Sequence, residues 1–311
     1  MKAEVIGRKA IRIVDGIVNT AVLTVIILLL AFAGYALWDS NQIHLVAEKS
    51  NYAVYKPTAE NEGKTFQELQ AINPEVFAWL EIYGTSIDYP VTQGADNMKY
   101  VNTDAEGRYS LSGAIFLDEA NSRDFSDFNS ILYGHHMEKR TMFGEIGEFS
   151  FRTKFDAHRY GNLYFDGKDH GVEFFAFVRA DAYDRGVYAP NLAHPERSAY
   201  LDGLYSRAMH KRDIDVTVSH NIVLLSTCSS SSTNGRDILV GRITDGVFEN
   251  PFGDADAPAA MKQALTDSLY CHVAEIPPWP LLLVLVVMTR LIMLVTDVYR
   301  REKQLNKAET V

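Results

Sequence analysis

From Ile17 to Trp38 the chain carries no charged residue. About 20 consecutive apolar residues suffice to cross a bilayer as a helix. A lone segment in lipid must be helical, because only a helix pairs every backbone group within one segment. Lys2, Arg8, Lys9 and Arg12 precede the run, and a basic flank of this kind keeps its end in the cytoplasm. A cleaved signal peptide is the competing reading, since Ala31-Phe32-Ala33 has the small-residue pattern of a cleavage site. The apolar run continues through Tyr35-Ala36-Leu37-Trp38 with aromatic residues suited to the interface, which favours an uncleaved anchor.

A second apolar segment, Trp279 to Val298, begins after Pro277-Pro278 and is interrupted by Thr289-Arg290 and Thr296-Asp297. Arg290 costs about 2.5–3.5 kcal/mol at mid-membrane on insertion scales, which the surrounding Leu, Val, Ile and Met residues can outweigh. Arg300, Arg301, Lys303 and Lys307 follow it. Two spans with basic outer flanks predict a hairpin topology, with both termini in the cytoplasm and the middle outside. The expected boundaries are a tail over 1–16, a span over 17–38, a stalk over 39–64 and a folded domain over 65–250. A juxtamembrane linker over 251–276, a second span over 279–298 and a basic tail over 299–311 complete the chain.

Composition fits an exported domain on a membrane anchor. The net charge of −10 argues against a nucleic-acid partner. Only Cys228 and Cys271 are present, too few for a disulfide framework. A bridge between them is arithmetically possible; Cys271 reads as a bystander close to the second span.

Strand signals recur through the middle: Ile87–Thr92, Gly113–Leu117, Ser130–Tyr133, Leu163–Phe165, Val172–Ala180, Ile222–Ser226 and Ile238–Thr244. Helices are expected around Ile43–Ala53, over Phe66–Ala71 and Pro74–Leu80, near Arg140–Phe149 and Glu196–Met209, and within Asp254–His272. Asn73 before Pro74 supplies a cap and stop signal. Many short strands at irregular spacing predict a mainly β fold, a closed or partly closed barrel with helical additions.

Three pieces of this pattern carry chemistry. The apolar run Asn221-Ile222-Val223-Leu224-Leu225-Ser226-Thr227-Cys228 ends in a thiol, and Arg236 opens the next β-rich run after a Ser-rich turn. A thiolate nucleophile needs positive charge nearby, and acyl transfer needs a donor for the developing oxyanion. Upstream, Asn129-Ser130-Ile131-Leu132-Tyr133-Gly134-His135-His136 takes another short strand into a glycine and then a histidine. Cys plus His is the minimal apparatus of thiol-based acyl transfer. A free Cys is more often a small buried hydrophobe, and a His pair is common on surfaces and in zinc sites, so neither half is specific alone.

Taken in order, these motifs resemble the sortases, and among them class B. The resemblance covers roughly Phe66 to Phe248. Asn73-Pro74-Glu75-Val76-Phe77-Ala78-Trp79-Leu80-Glu81-Ile82 looks like the family's entry motif. Thr85-Ser86-Ile87-Asp88-Tyr89-Pro90-Val91, Asp96-Asn97, Ser112-Gly113-Ala114-Ile115-Phe116-Leu117-Asp118, Tyr133-Gly134-His135 and Met142-Phe143-Gly144 follow in register. Leu225-Ser226-Thr227-Cys228 with Arg236 closes it.

The resemblance implies an eight-stranded sortase β-barrel with N-terminal helices, here flanked by two transmembrane helices. Class B members commonly show only the N-terminal anchor, so the second span departs from the pattern. Cys228 is implied as nucleophile, His135 as the catalytic histidine and Arg236 as the essential arginine; His136 matches a variable position. Asn97 and Val101 match positions lining the substrate groove, Ser226 a contact just before the nucleophile, and Tyr188 a loop where class B enzymes carry a substrate-binding helix. A turn residue is the plain alternative for Asn97, and an exposed loop aromatic for Tyr188.

The implied activity is a cysteine transpeptidase acting at the cell membrane. It would cut a sorting signal of the Asn-Pro-X-Thr or Leu-Pro-X-Thr kind after Thr and pass the acyl group to a peptidoglycan-precursor amine, anchoring surface proteins to the wall. A pilin polymerase using a Lys amine, a membrane-tethered cysteine protease and a non-catalytic surface receptor are the alternatives. No cofactor or metal is required, and His135–His136 with Cys228 is a poor zinc set.

Overall fold

The computed structural model describes residues 2–58, 64–228 and 234–253, together with 286, 287 and 290. The chain divides into two units, Met1–Gln42 with Tyr270–Val311, and Ile43–Leu269. The expected second span, the 254–272 helix and Cys271 lie outside the described residues, apart from those three positions.

The N-terminal segment is a single α-helix, α1 (Lys2–Val46), of which Ile13–Val46 is long and apolar enough to cross a membrane. Most of its described isoleucine, leucine and valine side chains stand exposed along the run. A separate amphipathic helix over Ile43–Ala53 does not form. Instead α1 continues to Val46, where the Asn51 side-chain amide donates to the Leu45 and Val46 carbonyls at 2.7 and 3.0 Å. That satisfies two of the carbonyls every helix end leaves open. Two 3-10 turns follow, Lys49–Asn51 and Ala53–Tyr55.

Beyond helix α2 (Lys64–Ile72) the chain builds a barrel. Its strands are β1 (Val76–Ile82), β2 (Asp88–Thr92), β3 (Ile115–Leu117), β4 (Asn129–Tyr133), β5 (Tyr160–Phe165) and β6 (Lys168–Asp181), then β7 (Ala208–Lys211), β8 (Ile222–Cys228) and β9 (Gly235–Thr244). The sheet order is β5-β1-β2-β3-β4-β8-β9-β6, and β5 pairs with β6 to close an eight-stranded ring. Strand β6 is long enough to serve two partners along one edge, β5 over Lys168–Glu173 and the extra strand β7 over Ala176–Val178.

The expected helix over Pro74–Leu80 is β1. Asn73 does stop the preceding helix, but its Oδ1 accepts from the Glu75 amide at 3.2 Å, a local turn rather than a helix start. Val76–Ile82 then pairs with β2 on one side and β5 on the other. The Arg140–Phe149 stretch is two 3-10 turns, with a short helix α3 (Arg152–Ala157) beyond it. Helix α4 (Arg197–Arg207) forms as expected, but Met209 belongs to β7.

Apolar residues on both faces of β8 and β9 give the domain two cores. Val223, Leu225 and Leu239 join the core that also holds Leu80, Val91 and Phe174. Ile222, Leu224, Ile238 and Val240 alternate to the other face and pack with Val187 and with Tyr200, Leu201 and Leu204 of α4. Strands covered on both faces read as continuous hydrophobic runs, which is why these two were so visible in the sequence.

Candidate active site

Parallel pairing of β4 with β8 and antiparallel pairing of β8 with β9 bring three strand ends to one rim of the barrel. Tyr133 pairs with Ser226, and Cys228 at the end of β8 pairs with Arg236 near the start of β9. The Gly134 amide donates to the Ser226 carbonyl at 3.2 Å, so the chain leaves β4 still tied to β8, and His135 comes next. Strand alternation places Ser226 on the face of Leu224 and Arg236 on the face of Ile238, the second-core side of the sheet.

The histidine is held from two directions. Its carbonyl accepts from the Phe143 amide at 3.0 Å. A Cβ on Gly134 would meet the Phe143 ring at 2.7 Å, so only glycine lets the chain turn there. Its ring Nε2 lies 2.7 Å from the Val101 carbonyl, at the end of the 3-10 turn Lys99–Val101. His136 is exposed and pairs through its backbone with Met142. The half-buried Arg236 guanidinium donates to the Gly235 carbonyl at 3.0 Å and has no ion pair among the described residues. Its neighbour Asp237, facing the opposite side, is by contrast buried and paired with Arg179 at 2.7 Å. Fixed positive charge beside a strand-end cysteine is suited both to favouring a thiolate and to donating to an oxyanion.

The four expected substrate-groove residues divide between two linked features. Val101 supplies its carbonyl to His135. Asn97, Ser226 and Tyr188 are joined by Asp118 and Tyr133, two residues the sequence placed in motifs but gave no role at the groove. The Asn97 amide and the Tyr133 hydroxyl both donate to Asp118 Oδ2, at 3.1 and 2.9 Å. The Tyr133 ring stacks on Tyr188, centroids 6.2 Å apart and planes inclined 22°. The Tyr188 hydroxyl in turn shares a 2.8 Å hydrogen bond with Ser226 Oγ. Burial, with the Asp118 charge adding to it, pushes the Tyr133 hydroxyl above the ordinary tyrosine range and keeps it a donor. Among the described residues no cluster of three or more His, Cys, Asp or Glu side chains is placed to hold a metal ion.

Known proteins share this barrel. A solved sortase B from the type II pilus of Streptococcus pneumoniae is 47% identical with a TM-score of 0.52, covering 58% of this chain and 99% of that one. A Streptococcus pyogenes class B sortase involved in pilus biogenesis is 37% identical with a TM-score of 0.54, over 58% of this chain and 99% of its own. No protein-family model matches the sequence. The barrel is thus that of the sortases, cysteine transpeptidases. Sortase B of Staphylococcus aureus is 30% identical over 188 residues, 59% of this chain and 76% of that protein. The chain belongs to the class B sortases.

Proposed function

We propose that this protein is a membrane-anchored transpeptidase in which Cys228, His135 and Arg236 carry the reaction. The observation that carries the reading is the register: Cys228 opposite Arg236, and His135 one residue past the backbone bond that ties Gly134 to Ser226. The Cys228 thiolate attacks the Thr carbonyl of a sorting signal, and the carbonyl oxygen takes up the negative charge beside the Arg236 guanidinium. As the tetrahedral species collapses, the C–N bond breaks and His135 gives a proton to the departing amine, leaving a thioester. An incoming amine then attacks that thioester and loses its proton to His135. The new amide forms and the thiolate is restored.

Asn97, Val101, Tyr188 and Ser226 are proposed to line the groove for the sorting signal. Helix α1 would anchor residues 17–38 in the membrane with the catalytic domain, 65–250, outside. The segment 279–298 would return the chain so that both termini lie in the cytoplasm. The acceptor we infer is a peptidoglycan-precursor amine, which would fix surface proteins to the wall. A second reading, transfer to a pilin Lys amine, is favoured by one observation: the two pilus sortases share 47% and 37% identity with this chain.

The test is product analysis after incubating the protein with Asn-Pro-X-Thr and Leu-Pro-X-Thr peptides, with and without wall-peptide and pilin-lysine amines. Ligated product in the presence of one acceptor supports transpeptidation and identifies which. Hydrolysis at the same rate whatever amine is present would favour a tethered protease instead.

A further inference from the structure

The contact between His135 and Val101 is to a main-chain carbonyl, and a carbonyl oxygen can only accept. Nε2 of His135, 2.7 Å away, must therefore carry a hydrogen. In a neutral imidazole the other nitrogen is then bare. The carbonyl itself is tightly placed. Tyr100, the residue before it, is buried, its hydroxyl donating to Glu75 at 2.6 Å and accepting from the Asn73 amide at 2.9 Å. The Tyr100 carbonyl accepts from the Ala114 amide at 3.0 Å. Between these ties sits Gly113, with φ +60°. A Cβ there would come within 2.7 Å of the Val101 oxygen, and against the Tyr100 oxygen as well, so main-chain atoms rather than a flexible side chain would have to move.

We propose that Gly113 and the Val101 carbonyl are positioning groups for His135, holding it as the Nε2–H tautomer so that Nδ1 is the nitrogen that gives and takes the reaction's proton. The proposal rests on His135 being the catalytic histidine. Val101 then serves the site through its main chain, whatever its side chain does in the groove. Gly113 is essential for a reason its distance from the reacting atoms would hide.

A built-in control lies in the same β2–β3 excursion. Gly107 also has a positive φ, +84°, but a Cβ there would meet nothing within 4 Å. Alanine at either position bears the same kind of backbone strain; only Gly113→Ala displaces the carbonyl.

The experiment uses the full-length chain in detergent, with ring-15N histidine labelling and the His135 signals assigned by their loss in His135→Ala. Wild type and Gly107→Ala should show His135 protonated at Nε2 and bare at Nδ1 when neutral, with peptide turnover within about twofold of each other. Gly113→Ala should lose that tautomer preference and about 10²-fold in kcat, with KM for the peptide little changed. An Nδ1–H tautomer in the wild type would overturn the proposal however Gly113→Ala folds. So would Gly113→Ala turning over like Gly107→Ala. Full turnover by His135→Ala would instead remove His135 from the reaction, a different failure from either of these.

Discussion

The Tyr133 hydroxyl donates to Asp118 at 2.9 Å, from the last residue of β4 to the residue just past the end of β3. Through that bond Asp118 sets the tilt of a ring that stacks on Tyr188, while the same carboxylate oxygen holds Asn97. Asp118→Ala would leave a half-buried hydroxyl and an amide without their acceptor, a loss of about 1.5–3 kcal/mol where the acceptor is charged. Peptide KM should rise about tenfold, with kcat much less affected, as steady-state kinetics on the sorting peptide would read. An unchanged KM would mean the network is only a strut.

Tyr188 contributes both a ring and a hydroxyl, and the two separate cleanly. Tyr188→Phe removes the 2.8 Å bond to Ser226 but keeps the stack on Tyr133. It should cost about 1 kcal/mol of substrate binding. Tyr188→Ala removes both and should cost about 2 kcal/mol or more. Isothermal titration of an uncleavable sorting peptide into Cys228→Ala carrying each change would rank them; equal losses would assign the whole effect to the hydroxyl.

Seven of the nine described strands, the thiol and arginine on neighbouring strands and the histidine after Tyr133-Gly134 were legible in the sequence. Each is announced locally, by a β-branched run or a glycine exit. Strand β1 was not, because Asn73-Pro74 imitates a helix start and Val76–Ile82 has no strict alternation. Only its neighbours β2 and β5 decide its conformation. Strand β7 is four residues, Ala208–Lys211, with no strand signal of its own, and it is recruited by the half of one β6 edge that β5 does not pair. Asp118 and Tyr133 lay inside recognised motifs, but their pairing joins positions that only the closed sheet brings together. A side chain's partner across a barrel leaves no trace in spacing.

Glu145 is buried beside Lys154 at 2.6 Å and also accepts from the Ser86 amide at 2.6 Å. Burial alone would raise its pKa; the hydrogen bonds from Lys154 and Ser86 outweigh that and hold it below the usual carboxylate range. A depressed folded pKa contributes stability that is present above the unfolded value and lost as pH falls through the folded one. Glu145→Gln should therefore lower stability by about 2–3 kcal/mol at neutral pH. The deficit should shrink as pH falls below the ordinary carboxylate range and Glu145 takes up its proton. Urea midpoints at several pH values would check this; a deficit independent of pH would assign the loss to packing.

Tyr200 behaves in the opposite sense. Burial raises its pKa well above the ordinary value, while its hydroxyl donates to the Val187 carbonyl at 2.7 Å and accepts from the Asn129 amide at 2.8 Å. A raised folded pKa contributes stability that is full below the unfolded pKa, about 10, and is lost as pH rises beyond it. Tyr200→Phe should cost about 1–3 kcal/mol at pH 7, because the Val187 carbonyl loses this donor and the Asn129 amide keeps only its bond to the Ala189 carbonyl. It should also lose less stability than wild type between about pH 9 and 11. Thermal melts across that range decide it, and parallel pH profiles would contradict the linkage.

In the proposed reaction a single thiol, Cys228, carries the acyl group between cleavage and ligation. Its most direct test is intact-protein and peptide mass spectrometry of the full chain, trapped with a sorting peptide in the absence of any amine acceptor. A hydroxylamine-labile acyl adduct is expected on the peptide containing Cys228, lost together with all cleavage in Cys228→Ala. An adduct on Cys271, or continued cleavage by Cys228→Ala, would contradict it.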